Sequence, residues 1–432
     1  MHVYFSGIGG TAIGPLAMIA AQAGYKITGS DKQNSEYIDY LRKNGLDNIH
    51  IGQTEQQIEA VHKQTPIDWL VYSSAVEIEN PDHPELVFAR KNHIKTTKRD
   101  ELLNKIIKDS GKKLVAISGT HGKTTTTAMA IWLFKKLGLR PSYSVGAKIS
   151  YGDMGHFDAD SEYFIYECDE FDRNFLAFQP YMSIIAGIDY DHHEVFKTRA
   201  DYEQAFSDFL KQSENKVLWL SDAQKLEFAQ DAEGLIVLDD DDAILDALSI
   251  PGQVNRKNAY LVIMAANKLT GEPVESLIEM MRSFPGVSRR FEKIAANLHS
   301  DYAHTPAKIA GALQMASEYS DDVVVVYEPL TDRRQHYIKD DYKNLFKGVK
   351  KLYWVPSYLA REDKNQKILE PKELIANMEN PEIAEPAELD ENLKQNIRKH
   401  IAEGQLVICL SGGGGNSLDE WLRANFARSK SV

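Results

Sequence analysis

The run Gly119-Thr120-His121-Gly122-Lys123-Thr124-Thr125 has the residue types that phosphate chemistry requires. It follows an apolar stretch, Leu114–Ser118, and opens a helix-like segment. At such a turn backbone N–H groups cradle phosphates, the lysine reaches the terminal ones and a hydroxyl ligates Mg²⁺. Only two residues separate the glycines, and Ile117 stands where the general phosphate-loop pattern has its first glycine. The strand context and the threonine run to Thr127 nevertheless assign the turn to ATP, with Lys123 at the terminal phosphates. An earlier turn, Gly7-Ile8-Gly9-Gly10-Thr11-Ala12, fits G-x-G-x-x-G/A, and Asp31 lies 22 residues after Gly9. Glycines there let the backbone approach a pyrophosphate at a helix N-terminus, so Gly7, Gly9, Gly10, Thr11 and Asp31 are expected to hold a nucleotide diphosphate. The turn alone fits NAD as well as any other dinucleotide-like ligand. Two further strand ends carry acid and imidazole: Glu167-Cys168-Asp169-Glu170-Phe171-Asp172 and Asp189-Tyr190-Asp191-His192-His193-Glu194. Ligands of open α/β sheets bind outside the carboxyl ends of strands. Thr124, Glu167 and His192 are therefore expected to converge with Lys123 on one crevice, where Mg²⁺ is shared between side chains and phosphates.

The elements that must position these residues alternate between strand-like and helix-like segments almost throughout, the pattern of parallel sheets covered by helices. Strands are expected at Val3–Ser6, Lys26–Thr28, Trp69–Ser73, Leu114–Ser118, Tyr163–Tyr166, Ser183–Ile188, Val323–Tyr327, Leu352–Val355 and Leu406–Leu410. Tyr202, Ala205, Phe206, Phe209 and Leu210 recur at helical spacing, as do Val274, Leu277, Ile278 and Met281 after Pro273. Thr305-Pro306 reads as an N-cap and first-turn pair. Polar residues 108–113 and the breaker Phe284-Pro285-Gly286 divide the chain into segments 1–107, 108–284 and 285–432. The proline-spotted stretch from Pro371 to Asn392 reads as a surface connection, and Asp239–Asp242 as a solvated loop.

Composition narrows the function classes. A length of 432 residues allows several domains, and 43% hydrophobic residues can fill their cores. A formal net charge of −13 argues against coating nucleic acid, which needs a basic face. Two cysteines, Cys168 and Cys409, cannot make a disulfide framework and suit a reducing, cytoplasmic setting. No apolar run is long enough for membrane insertion, and the N-terminus lacks the basic start of a signal peptide.

The segment Ile117-Ser118-Gly119-Thr120-His121-Gly122-Lys123-Thr124-Thr125-Thr126 resembles the ATP loop of the Mur ligases, the amide-forming enzymes of peptidoglycan precursor synthesis. The short glycine spacing is that family's own variant. The resemblance extends along the chain and is best with the branch that joins L-alanine to UDP-N-acetylmuramate. Gly7–Gly10 and Thr28-Gly29-Ser30-Asp31 are similar to the UDP-binding turn. Glu167–Asp172, Asp191-His192, Asn255-Arg256-Lys257-Asn258-Ala259, Arg289-Arg290-Phe291 and Asp301-Tyr302-Ala303-His304 resemble family motifs in order. The chain departs from them at Gly187, Ser300, Thr305, Glu328–Arg334 and Ser411–Gly415.

The resemblance implies a three-domain α/β architecture: a Rossmann-like UDP-binding domain, a central P-loop ATPase-like domain and a Rossmann-like amino-acid domain. It implies an ATP- and Mg²⁺-dependent ligase using UDP-N-acetylmuramate and L-alanine, as monomer or homodimer. Thr124 and Glu167 would hold Mg²⁺, His192 would complete a second metal shell or orient substrate, and Asn255 and Asn258 would lie near the adenine or cap the start of their helix. Arg290 would bridge phosphate charge, and Asp301 would contact that arginine or the nucleotide. Rival readings are a ligase attaching a preformed tripeptide to the same UDP-sugar, and an NAD-dependent oxidoreductase, which leaves the Gly-Lys-Thr loop without a purpose.

Overall fold

The computed structural model describes residues 1–190, 195–229, 232–239, 244–359, 362 and 366–427. Among them the strands form three sheets. The first contains β1 (His2–Ser6), β2 (Lys26–Asp31), β3 (Ile49–Ile51), β4 (Trp69–Tyr72) and β5 (Lys95–Thr97), all parallel, in the order β3-β2-β1-β4-β5. Strand order reverses between β1 and β4, the switch point at which such sheets open a crevice. The Gly7–Thr11 turn leaves β1 at that point.

The second sheet contains β6 (Lys113–Ser118), β7 (Ser142–Ser144), β8 (Gly155–His156), β9 (Tyr163–Glu167), β10 (Met182–Ile185), β11 (Asn215–Trp219) and β12 (Leu235–Leu238). Its order is β12-β11-β10-β6-β9-β7-β8, with β8 antiparallel at the edge. The three strands whose ends carry the glycine–lysine loop, the acid run and Gly187–Asp189 are therefore neighbours: β6 lies between β9 and β10. The third sheet contains β13 (Glu292–Ala295), β14 (Leu298–Asp301), β15 (Val323–Glu328), β16 (Lys351–Trp354), β17 (Ala384–Pro386) and β18 (Leu406–Ser411), ordered β13-β14-β18-β15-β16-β17. Only β13 runs antiparallel there.

Packing follows the sequence pattern. Helix Arg199–Lys211 buries Tyr202, Ala205, Phe206, Phe209 and Leu210, the residues its spacing marks out. In β15, Val323, Val325 and Tyr327 join one core while Val324 and Val326 join another. Both faces of this sheet are covered, which is why the strand reads as a continuous apolar run rather than an alternating one. The first two sheets share one core, which runs from Val3 and Ile19 through Ile106 to Phe206. Residues 1–248 and 257–284 accordingly form one compact unit, while residues 249–256 and 285–432 form the other.

Local readings differ from the structure in three places. The stretch from Pro371 is not a bare connection: it forms the helix Pro371–Ile375 and the edge strand β17. Pro371 starts its helix, where no N–H is needed, and Pro386 ends an edge strand, where a missing donor is tolerated. Helix Pro306–Ser317 begins at the expected pair, but Thr305 does not cap it; its hydroxyl is buried and has no partner among the described residues. The long helix Gln253–Thr270 starts ahead of Asn255 and Asn258, so neither residue caps it. Of Asp239–Asp242, only Asp239 is among the described residues. Both cysteines are free and buried. Among the described residues no helix is long and apolar enough to cross a membrane.

Candidate active site

The loop between β6 and helix Lys123–Lys136 is held open by two glycines in left-handed conformations, Gly119 (φ 133°) and Gly122 (φ 81°). A Cβ on Gly119 would lie 2.9 Å from the Gly187 carbonyl oxygen, and Thr120 N–H donates to that same oxygen at 2.8 Å. Gly187 itself sits at φ 143°, a conformation that favours glycine, which gives the departure at this position a backbone reason. Thr120 Oγ1 donates to the Asp189 carbonyl (2.7 Å) and lies 2.7 Å from Tyr202 Oη, tying the loop to the β10 end and to helix Arg199–Lys211.

At the head of the helix, Lys123 Nζ donates to the Gly119 carbonyl (2.8 Å) and to both oxygens of the buried Glu170 carboxylate (2.7 and 2.9 Å). Asp169 lies 3.9 Å away. Burial alone would lower the lysine's proton affinity, but Glu170, Asp169 and Glu167 outweigh it and raise the ammonium above its ordinary range. Thr124 Oγ1 donates to Glu167 Oε1 (2.8 Å), and Gly146 N–H donates to Glu167 Oε2 (2.7 Å). The structure thus brings Lys123, Thr124 and Glu167 together. His192, the third residue expected there, lies outside the described residues, as does Asp191.

A hydroxyl and one carboxylate at a phosphate loop leave most of an Mg²⁺ shell to phosphate oxygens and water, the arrangement that ion favours with nucleotides. Among the described residues no three His, Cys, Asp or Glu side chains cluster as a metal site of their own. Thr125 is buried in the first helical turn, and His121 lies in the loop between the two glycines. Asn258 packs against the loop from helix Gln253–Thr270: a Cβ on Gly122 would lie 2.9 Å from both of its side-chain polar atoms. Asn258 is 1% exposed, lies against the loop, and among the described residues its Nδ2 has no hydrogen-bond partner. Asn255 instead donates to the Pro251 carbonyl (3.0 Å), within the second unit.

At the first turn Gly7 takes φ 79°, and Gly7 and Ile8 N–H groups both donate to the Ser30 carbonyl. Asp31 accepts from Gly9 N–H (2.9 Å), so its carboxylate braces the turn from the end of β2. A Cβ on Gly9 would lie 3.0 Å from that carboxylate and from Ile38. Gly10 N–H donates to the Gly7 carbonyl, and Thr11 is exposed beside it.

In the second unit burial raises the Asp301 carboxyl, while the positive charge of Arg290 and the Phe291 N–H (2.7 Å) oppose that rise. The Arg290 guanidinium lies over the Tyr302 ring, 4.8 Å from its centroid. Arg289 is occupied differently. It donates to the Ser411 and Gly413 carbonyls (2.9 and 2.8 Å) and lies 3.4 Å from Asp419. Arg290 in turn donates to the Arg289 carbonyl at 3.0 Å.

Residues 2–110 match the Mur ligase family, catalytic domain, and residues 117–238 the Mur ligase middle domain. The chain is 32% identical to the UDP-N-acetylmuramate–L-alanine ligase of Clostridium acetobutylicum, covering 83% of this chain and 84% of that one. This chain belongs to the Mur ligase family. The like-named enzyme of Clostridium tetani is 30% identical with 95% of both chains covered. The solved UDP-N-acetylmuramate–alanine ligase of Thermotoga maritima shares the fold, with a TM-score of 0.75 at 23% identity over 96% of each chain. A murein peptide ligase from Psychrobacter arcticus also shares it, with a TM-score of 0.66 at 19% identity. Mur ligases are ATP-dependent, so the Gly119–Thr125 loop lies in a family that uses a nucleoside triphosphate.

Two residues of this site escaped the motifs. Glu170 lies within the acid run, but spacing alone does not tell which of four carboxylates meets the lysine. Gly146 carried no signal, because its role is a backbone N–H brought in from the loop after β7.

Proposed function

We propose that the protein is a cytoplasmic, ATP- and Mg²⁺-dependent ligase that joins L-alanine to the carboxylate of UDP-N-acetylmuramate. A carboxylate resists attack by amines because its leaving group would be oxide. Transfer of the ATP γ-phosphoryl group to a carboxylate oxygen gives an acyl phosphate and ADP. The amine then attacks the acyl carbon, and phosphate departs with the carboxylate's former oxygen. The observation that carries this reading is the Thr124–Glu167 contact of 2.8 Å, one residue from the loop lysine.

Phosphoryl transfer is catalysed mainly by positioning and charge neutralisation. Lys123 neutralises the terminal phosphates, moving from Glu170 toward them. Thr124 and Glu167, with His192, would hold Mg²⁺, which would supply neutralisation of phosphate charge when bound. Asn258, beside the loop, serves the adenine end. Gly7, Gly9, Gly10, Thr11 and Asp31 bind the UDP end of the sugar nucleotide. Arg290 supplies positive charge for phosphate, and Asp301 contacts that arginine or the nucleotide.

The test is phosphate release with UDP-N-acetylmuramate, ATP, Mg²⁺ and a panel of amines. Release with L-alanine above other amino acids is expected. Release only with a preformed tripeptide would move the protein to the muropeptide-recycling reaction, and no release with any amine would contradict the ligase reading.

A further inference from the structure

Helix Arg99–Asp109 follows β5, and its first residues meet the carboxyl end of β9. Asp100 is buried there and accepts a hydrogen bond from Tyr166 Oη at 3.0 Å. Arg99 beside it is three-quarters buried, with Asp100 at 3.4 Å from Nε and Asp169 at 3.7 Å from a terminal nitrogen. Neither contact is as short as a charge-assisted hydrogen bond of about 2.7–2.9 Å. Among the described residues the guanidinium fork is therefore anchored by charge without being closed on a partner. Asp169 also lies 3.9 Å from Lys123 Nζ. The two cations are thus no farther apart than those two distances and the width of one carboxylate.

A guanidinium fork matches a carboxylate in a bidentate way that a lysine cannot. We propose that Arg99 binds the carboxylate of the acidic sugar-nucleotide substrate and presents it to the terminal phosphate held at Lys123. The inference rests on the ligase reading above. The reacting carboxylate must lie beside the phosphate that Lys123 marks. It must also be reached from the first sheet, whose glycine turn holds the nucleotide end in that reading. Arg99 meets both conditions, since it follows the last strand of the first sheet and shares Asp169 with Lys123. When substrate arrives, Arg99 exchanges its long contact with Asp169 for the substrate carboxylate, while Asp100, fixed by Tyr166, keeps the fork oriented.

The test is calorimetric titration of the full chain with UDP-N-acetylmuramate and with UDP-N-acetylglucosamine, which lacks the lactyl carboxylate. Arg99→Ala is expected to weaken the first roughly 10- to 100-fold while UDP-N-acetylglucosamine and ATP stay within about twofold. Arg99→Lys keeps the charge but not the fork, and is expected to recover part of the loss. If the alanine variant does not fold, the lysine variant carries the test through a selective loss of roughly 3- to 10-fold for the carboxylate-bearing ligand. An equal loss for both sugar nucleotides would make Arg99 a tie between the first two sheets, and a loss confined to ATP would make it a phosphate ligand; either overturns the proposal, as does unchanged binding. A wild-type chain that binds neither sugar nucleotide overturns the ligase reading itself.

Discussion

The central and C-terminal glycine turns share one plan: a buried parallel strand, glycines, then a helix. In the central turn the groups nearest the loop are a lysine and a hydroxyl, each held by a carboxylate from β9 or the segment after it. In the C-terminal turn, Gly412–Gly415 between β18 and helix Leu418–Phe426, the buried Glu328 side chain fills the cradle. Glu328 accepts from Leu418 N–H (3.0 Å) and Ser411 Oγ (2.5 Å), and Arg289 occupies the Ser411 and Gly413 carbonyls. A carboxylate at that helix start takes the place a phosphate would need. The same backbone plan therefore leaves a lysine and a hydroxyl at the turn in one unit and a closed structural joint in the other. The partner strand's side chain decides which.

The largest effect expected from that contrast is at Lys123. Lys123→Met should lower phosphate release by roughly 10²–10³-fold or more. It should also cost stability, because Glu170 is left buried and unpaired, a penalty on the order of 3–5 kcal/mol. Lys123→Met/Glu170→Gln should recover the melting temperature and none of the turnover. Recovery of turnover would mean that Lys123 serves only to neutralise Glu170. Next, Glu167→Gln should shift the Mg²⁺ titration midpoint about 10- to 100-fold upward, and an unmoved curve would take Glu167 out of the metal shell.

In the C-terminal turn the expected change is in stability. Glu328→Ala should cost about 1–3 kcal/mol in a denaturant titration, since it strands the Leu418 N–H and the Ser411 hydroxyl. ATP affinity should stay put. A lost ATP site with unchanged stability would reverse the contrast between the turns.

The smallest effect is the pH dependence of the ion-pair network around Arg423, which bonds both Glu292 and Asp419. Burial alone would raise both carboxyls, but hydrogen bonds from Arg423 and its neighbours outweigh it and hold them below their ordinary values of 4.5 and 3.8. A lowered folded-state value means that this stabilisation is complete above those ordinary values and fades as pH falls through the lowered ones. The melting-temperature gap between wild type and Glu292→Gln should therefore be widest at neutral pH and narrow below about pH 4. A gap that does not depend on pH would show that the network acts through packing alone.

Much of this was legible in the sequence where one segment carries its own signal. The strand-then-glycine turns at Gly7 and Gly119, the buried stripe of helix Arg199–Lys211 and the apolar β15 run all act locally. What escaped depends on pairings between distant segments: Glu170 with Lys123, Gly146 with Glu167, Glu328 with Leu418, Asp31 turned onto Gly9. The shared core of the first two sheets escaped for the same reason. Tyr166 on Asp100, Asn104 on the Ala177 carbonyl and Gln22 on Phe157 N–H join segments whose own periodicity says nothing about the neighbour.

The central claim, that a carboxylate is activated by phosphorylation at the Lys123 loop, is tested most directly by oxygen transfer. UDP-N-acetylmuramate labelled with heavy oxygen in its lactyl carboxylate would be turned over with ATP, Mg²⁺ and L-alanine, and the released phosphate analysed by mass. Label appearing in phosphate, one carboxylate oxygen for each amide formed, is the predicted result. Amide formed with unlabelled phosphate would contradict an acyl phosphate and the account built on it.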